Sequence, residues 1–296
     1  FMKQTNTSIR LLTKISDYIK LMRIKQYIKN FFVFSAIIFS NNILNINLFL
    51  NTFIAFVCFC LMSSSVYALN DAIDMDKDKK HPKKCNRPVA SGRISKKSAN
   101  ILFVVLALIS VCLSTVVSFN LSIILSLYLI NNILYSLKLK NIILLDVFSI
   151  SLGFILRVYA GCVAISVSLS NWIILCTFFL SLYLALGKRK KEIETLRDDA
   201  VEHRKILEDY DIENLNQMMI VILSSTIVCY ALYSTSNPEK PHMIFTTIFV
   251  VYGVLRYNYI INTTNENNPT DIVLKDNALK INVILWIITC LIILIF

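Results

Sequence analysis

The stretch that decides the fold runs from Leu48 to Gly92: LFLNTFIAFVCFCLMSSSVYAL (48–69), then NDAIDMDKDKKHPKKCNRPVASG (70–92). The first part is long and apolar enough to cross a bilayer, which takes about 20 residues as a helix. The second is a dense block of carboxylates, lysines and one arginine, and a further apolar run follows from Ile101 to Val117. Asn70, Asp74 and Asp78 are spaced i, i+4, i+8. If the helix continues past the bilayer edge, they stack on one face about one turn apart. Hard oxygen ligands presented in this way suit Mg²⁺ held together with a substrate phosphate, because Mg²⁺ keeps several waters and takes only one or two carboxylates from protein. The plainer alternative is a solvated loop that fixes topology. Such a loop needs only lysines and has no use for Asp71, Asp74, Asp76 and Asp78 together.

Working outward, the pattern of Leu48–Gly92 repeats. The chain has 296 residues, of which 56% are hydrophobic and only 17% charged, with a mean hydropathy of +0.62. That composition describes a polytopic, all-α membrane protein rather than a soluble one. Apolar segments recur near 28–40, 48–69, 99–118, 121–137, 142–164, 171–187, 215–234, 243–261 and 280–296. The expectation is about nine transmembrane helices forming a single domain over 1–296, with a basic tail at 1–23 and polar loops at 70–98 and 188–214. The first segment is short and must borrow flanking residues. Phe1 ahead of Met2 reads as an extra residue, and no short cleavable leader with a small-residue site is visible.

Charge orients the bundle. The net charge is +11, which in a soluble protein would point to nucleic acid. Here the basic residues lie between apolar segments, so topology and anionic substrates explain them better, and no nucleic-acid partner is expected. All but Arg157 and Lys240 of the 30 Lys and Arg residues fall in the tail, in alternate gaps or, for Arg256, near a helix end on the same side. The positive-inside rule then puts the N-terminus and the charged loops in the cytoplasm of a bacterial plasma membrane, and Phe296 on the far side. Seven of the eight cysteines lie in apolar segments and no CxxC pair occurs, so they read as small buried hydrophobes. No GxxxG-type helix interface is visible; a homo-oligomer is compatible with the sequence, which does not specify one.

Several smaller clusters accompany the central block. Ahead of the first segment stand Arg23, Lys25, Gln26, Lys29 and Asn30. In an α-helix Lys25 and Lys29 share a face, as do Gln26 and Asn30. They are either a phosphate site or an ordinary basic flank that snorkels to the headgroups. Tyr135-Ser-Leu-Lys138-Leu-Lys140 precedes Asp146, and Arg157 lies further inside the same apolar segment as Asp146. A buried arginine in a spanning helix faces a polar cavity or pairs with an acid. Asp146 is three turns away, too far to be that acid. The loop after the sixth segment opens Gly187-Lys188-Arg189-Lys190-Lys191-Glu192, and the stretch from His203 reads as an amphipathic surface helix. His203 and His242 have no partners at metal-ligand spacing. His81 is expected to orient a phosphate or to cap its loop with Pro82. Pro269-Thr270-Asp271 is a helix-start signal, with Thr270 or Asp271 near the cap.

Together these residues resemble a known family. Asn70-Asp71-x-x-Asp74-x-x-x-Asp78 looks like the first acidic motif of the UbiA superfamily of polytopic prenyltransferases, and His81-Pro82-x-Lys84-x-x-Arg87-Pro88-x-Ala90-Ser91-Gly92 is similar to the run that follows it. Lys25-Gln26-Tyr27-x-Lys29-Asn30, the Tyr135–Lys140 run with Asp146, Gly153-Phe-x-Leu-Arg157, Gly187-Lys188-Arg189-x-x-Glu192 and Asn268-Pro269-Thr270-Asp271-x-Val-Leu-x-Lys275-Asp276 resemble one branch, the decaprenyl-phosphate phosphoribosyltransferases. Where aromatic prenyltransferases of the superfamily carry a second acidic motif, this chain has Lys188–Lys191, while Asp198 and Asp199 lack that motif's spacing.

The resemblance implies an enzyme that moves 5-phosphoribose from 5-phosphoribosyl 1-diphosphate (PRPP) to a polyprenyl phosphate drawn from the lipid bilayer. It implies Mg²⁺ on Asn70, Asp74 and Asp78, with Asp71 in second rank. Lys84, Arg87, Tyr135, Lys140, Lys188, Arg189 and Glu192 would bind the donor. Lys25, Gln26, Lys29, Asn30 and Arg157 would hold the acceptor phosphate. The competing expectations are an aromatic prenyltransferase using a prenyl diphosphate and, from another class, a non-enzymatic lipid transporter.

Overall fold

The computed structural model describes residues 13–82, 84–196, 210–264, 266 and 268–295. Residues 203–209 of the stretch from His203, together with Asp198 and Asp199, lie outside them.

Among the described residues the chain is helical throughout, with no strand. Helix α1 covers residues 13–22. A 3₁₀ helix, Ile24–Phe34, runs into α2, Ser35–Phe39. Then come α3 (Ile46–Ile73), α4 (Met75–Lys80), α5 (Lys96–Ser114), α6 (Phe119–Leu137), α7 (Leu145–Ala164), α8 (Asn171–Leu196), α9 (Ile212–Thr235), α10 (Thr247–Thr263), α11 (Pro269–Lys275) and α12 (Asn277–Ile295). Eight of these helices are long and apolar enough to cross a membrane, α10 with the 3₁₀ turn before it. The broken element Ile24–Phe39 is consistent with a count near nine. Its 16 residues would be short as an α-helix, but a 3₁₀ helix rises about 2.0 Å per residue, which brings the whole element near the roughly 30 Å of hydrocarbon.

That 3₁₀ geometry corrects one expectation. Side chains three apart, not four, share an edge of a 3₁₀ helix. Gln26 and Lys29 therefore line up, whereas Lys25 leaves their edge and is exposed.

Two helices are longer than the bilayer needs. α3 has 28 residues and α8 has 26, about 42 and 39 Å at 1.5 Å per residue. Their C-terminal turns project beyond the hydrocarbon on the same side and carry Asn70–Ile73 and Gly187–Leu196.

Helix α7 is the hub. Two-thirds of its spanning window (67%) is buried, against 17% for α12 on the periphery. The 3₁₀ helix lies so close on α7 that a Cβ on Gly161 would sit 2.0 Å from the Val33 carbonyl oxygen. Small polar groups join the other helices, as suits packing in lipid, where hydrophobicity does not separate helix from solvent. Ser110 donates to the Cys58 carbonyl at 2.8 Å, tying α5 to α3. Asn131 and Ser149 exchange two bonds at 3.0 Å between α6 and α7. Leu108, Ile220, Ile248 and Ile281 are exposed and face the acyl chains.

Candidate active site

The helix of Leu48–Asn70 does continue past the membrane edge, with a break. α3 stops at Ile73, Asp74 adopts φ −87° and ψ 7°, and α4 resumes at Met75. Backbone bonds Asp74 N–H to Asn70 O (2.9 Å) and Asp78 N–H to Asp74 O (2.8 Å) keep the i, i+4 ladder across the break. The kink splits the acidic side chains between two walls. Asn70 accepts from the Ser136 hydroxyl at the end of α6, and Asp74 accepts from Lys140 Nζ at 2.7 Å in the 3₁₀ turn Leu139–Asn141 that follows. Asp71 and Asp78 turn the other way. Arg87 Nη1 donates to Asp78 at 2.6 Å and to Asp71 at 3.3 Å, and Arg23 also pairs with Asp71.

Arg23 owes its reach to its backbone. It sits in the left-handed region (φ 54°, ψ 52°) at the corner between α1 and the 3₁₀ helix, an uncommon place for a side-chain-bearing residue. Its guanidinium lies 4.8 Å from the Tyr67 ring centre. Helix α1 is fastened to the same region by Leu21, fully buried with Ala68, Ala72, Val89 and Ile94, and by Asp17, which accepts from Arg93 Nε at 2.9 Å.

The loop after α4 is a basic wall. His81 Nδ1 accepts from the Lys84 backbone N–H at 3.3 Å, so His81 caps the loop. Gly92 closes it at φ 78°, a conformation that costs other residues more. Burial, and then the neighbouring Arg87, hold the Lys84 ammonium below the ordinary lysine pKa, with Lys188 adding to the effect and Glu192 and Asp78 opposing it. Lys84 therefore feels charges from both sides of the cleft.

Of the four cations Lys188–Lys191, only Lys188 faces the cleft. It is half-buried, 3.7 Å from Glu192, and within electrostatic reach of Lys29. Successive helix positions turn by about 100°, so the others point elsewhere. Lys190 donates to Asn262 at 2.5 Å and Lys191 to Glu194 at 2.7 Å. Arg189 is 1% exposed. It donates to Asp146 at 2.6 Å, to Tyr135 Oη at 3.3 Å, and to Glu192. Its guanidinium thus commits three of its five N–H groups to protein partners and braces α8 against α6 and α7. Tyr135 and Glu192 border the cleft through this brace.

Arg157 is held in a similar way. Its Nε donates to Asn30 at 2.8 Å, Nη1 to the Gly153 carbonyl at 2.8 Å, and Nη2 to Tyr128 Oη at 2.9 Å. The Tyr128, Phe154 and Phe59 rings surround it, with centres 4.9, 5.1 and 5.8 Å away. Among the described residues no carboxylate pairs with it. Neutral acceptors and ring faces hold the charge, and three of the guanidinium's five N–H groups are taken by protein acceptors. Asn30, fully buried, completes this strut by donating to Ser63 and Cys60. Gln26 accepts from Thr270 at 3.3 Å, which docks α11 on the first crossing. α11 is capped by Asn268, whose side chain accepts from Thr270 N–H, rather than by Thr270 or Asp271. Of the expected acceptor group, Lys29 is the cation left at the cleft.

Among the described residues no three Asp, Glu, His or Cys side chains form a ready-made metal cage. Asp71 is only 2% exposed and is shared by two arginines, which does not suit its expected role as a ligand. Asp74 is the open carboxylate at 29%, against 7% for Asp78. Asn70, Asp74 and Asp78 thus offer a partial set of hard oxygens. That set fits Mg²⁺ shared with substrate phosphate, the usual mode for this ion.

The sequence pattern gives no role to Ser136, Arg93, Asp17, Tyr128 or Tyr210, and it reads Arg23 as part of a basic flank rather than as a partner of Asp71. Ser136 stands inside the Tyr135–Lys140 run. Tyr128 and Tyr210 look like any interfacial or core tyrosine until the fold brings them to their partners.

Residues 31–294 match the UbiA prenyltransferase family. The chain is 32% identical to the decaprenyl-phosphate phosphoribosyltransferase of Mycolicibacterium smegmatis, over 92% of this chain and 91% of that protein. It is 30% identical to the protein of the same name from Corynebacterium glutamicum, over 91% and 84%. Its fold is similar to that of a UbiA homolog from Archaeoglobus fulgidus bound to GPP and Mg²⁺, with a TM-score of 0.75 at 17% identity, covering 94% of this chain and 99% of that one. With its helical bundle, its acidic helix end and its basic loop in place, the chain belongs to the UbiA prenyltransferase family.

Proposed function

We propose that this protein transfers 5-phosphoribose from PRPP to a polyprenyl phosphate, releasing diphosphate, with its cleft on the cytoplasmic face. One observation carries the reading: Lys188 lies within electrostatic reach of Lys29 and of Lys84, which stand on two other elements, and Lys84 within reach of Asp78 at the acidic helix end. Such a surplus of amines suits a donor bearing a diphosphate and a 5-phosphate, together with an acceptor bearing another phosphate. The names of the relatives at 30 and 32% identity support the same chemistry.

Asn70, Asp74 and Asp78 would hold Mg²⁺, which when bound neutralises charge on the leaving diphosphate. Lys84, Lys188 and Arg87 would hold the donor's phosphates, and Lys29 the acceptor phosphate at the membrane surface. The acceptor is already an anion at neutral pH, so its oxygen attacks C1 without a general base. The new O–C1 bond forms as the C1–O bond to diphosphate breaks, and the bonding pair leaves with the diphosphate. Lys140, which pairs with Asp74, would meet a phosphate oxygen once Asp74 takes the metal. Catalysis rests on positioning and electrostatics, and the lipid-facing helix walls take the polyprenyl chain.

Back-side attack inverts C1. The anomeric configuration of the lipid product, read by NMR, tests this mechanism. A β-linked phosphoribose is expected, and a retained α configuration would overturn the single displacement.

A further inference from the structure

Tyr210 lies just ahead of α9 and is buried among Val147, Leu186 and Leu215. Its hydroxyl works in two directions. It accepts from the Leu144 backbone N–H at 2.9 Å and donates to Asp146 Oδ1 at 2.8 Å. Burial, and then the nearby Asp146, push the phenol's pKa above its ordinary value, so the group stays protonated and able to donate.

Both partners need it. Leu144 has φ 64° and ψ −40° at the start of α7, a backbone conformation rare for a residue with a branched side chain. Asp146 is fully buried, and its other oxygen accepts from Arg189 Nε at 2.6 Å. Arg189 in turn pairs with Glu192, and Glu192 lies 3.7 Å from Lys188 Nζ. An unbroken line of polar contacts therefore leads from Tyr210 to the amine that faces the donor side of the cleft.

We infer that Tyr210 is a positioning residue for the donor site: its hydroxyl fixes the Asp146 carboxylate, which aims Arg189 and Glu192 and thereby Lys188. The inference rests on the donor-site reading above. Phenylalanine would fill the same apolar pocket but remove the hydrogen bonds to the Leu144 N–H and to Asp146 Oδ1, and hydrogen bonds lost in a buried site are costly.

The test is calorimetric binding of inorganic diphosphate with Mg²⁺ to purified wild type, Tyr210→Phe, Leu144→Gly and the double variant, with thermal unfolding alongside. Glycine accepts the Leu144 backbone conformation and separates support of the turn from control of Asp146. Tyr210→Phe is expected to weaken diphosphate binding about tenfold, as for loss of one hydrogen bond to a charged group. Leu144→Gly alone should bind like wild type. The double variant should recover thermal stability and keep the tenfold weakening. Should Tyr210→Phe not fold, the double variant against Leu144→Gly gives the same comparison. Wild-type affinity in Tyr210→Phe, or its recovery in the double variant, would overturn the inference alone. A wild type that does not bind diphosphate would overturn the donor-site reading as well.

Discussion

Asp74 and Lys140 stand 66 residues apart in sequence and meet at 2.7 Å. The contact joins the break after α3 to the 3₁₀ turn that follows α6, and its carboxylate is more open than those of Asp71 and Asp78. An ion pair at a partly exposed site contributes little stability, so Asp74 can exchange its lysine for a metal–phosphate group at small cost. Asp74→Ala is expected to lower transfer by about 10²–10³-fold, the scale of a lost transition-state stabiliser, while the thermal midpoint stays close to wild type. Initial rates and unfolding curves on the same preparation decide the matter. Activity near wild type would remove Asp74 from the metal site.

Arg157 makes the opposite prediction. Its three hydrogen bonds go to Asn30, Gly153 and Tyr128. Lysine keeps the charge but cannot span three diverging acceptors. Arg157→Lys should therefore destabilise the fold by about 1.5–3 kcal/mol and leave KM for the acceptor within about twofold. A stable variant with a raised acceptor KM would return Arg157 to the phosphate site.

Lys84 should give donor binding a pH dependence. Its ammonium pKa is held below the ordinary lysine value by burial and by Arg87. A cationic Lys84 binds phosphate and a neutral one does not. Donor affinity should thus fall as pH rises through that lowered pKa, before an ordinary lysine would titrate. Lys84→Arg, which stays charged throughout, should move the fall to higher pH. An identical pH profile in the variant would show that Lys84 does not carry the donor's charge.

Gly161 and Gly92 should rank in a predictable order. A Cβ at Gly161 meets the Val33 carbonyl at 2.0 Å, and backbone cannot step aside cheaply. Gly161→Ala should cost 3 kcal/mol or more, at or beyond the ~1–3 kcal/mol of ordinary overpacking, and loosen the first crossing. At Gly92 nothing lies within 4 Å of the added carbon, and the cost is the left-handed backbone alone, about 1–2 kcal/mol. Thermal unfolding of the two variants compares them; equal losses would contradict the close α7 contact.

The sequence made the spanning helices legible because hydropathy over about 20 residues is a strong signal. The i, i+4, i+8 spacing of Asn70, Asp74 and Asp78 likewise anticipated their helical ladder. What it could not give was direction across a break. The kink at Asp74 sends Asp71 and Asp78 toward Arg87 and leaves Asp74 with Lys140. Nor could it separate Lys188 from Arg189, because neighbours on a helix diverge by about 100° and only packing decides which one is buried. Lys25 misled for a simpler reason: an α period was assumed where the chain winds as a 3₁₀ helix.

The most direct measurement supplies purified protein with Mg²⁺, PRPP labelled in the ribose, and a polyprenyl phosphate, in parallel with a prenyl diphosphate and 4-hydroxybenzoate. Label extracted into the lipid phase from the first mixture, with no prenylated acid from the second, is the result expected here. Prenylation of the aromatic acid with no labelled lipid would contradict phosphoribosyl transfer and return the site to prenyl chemistry.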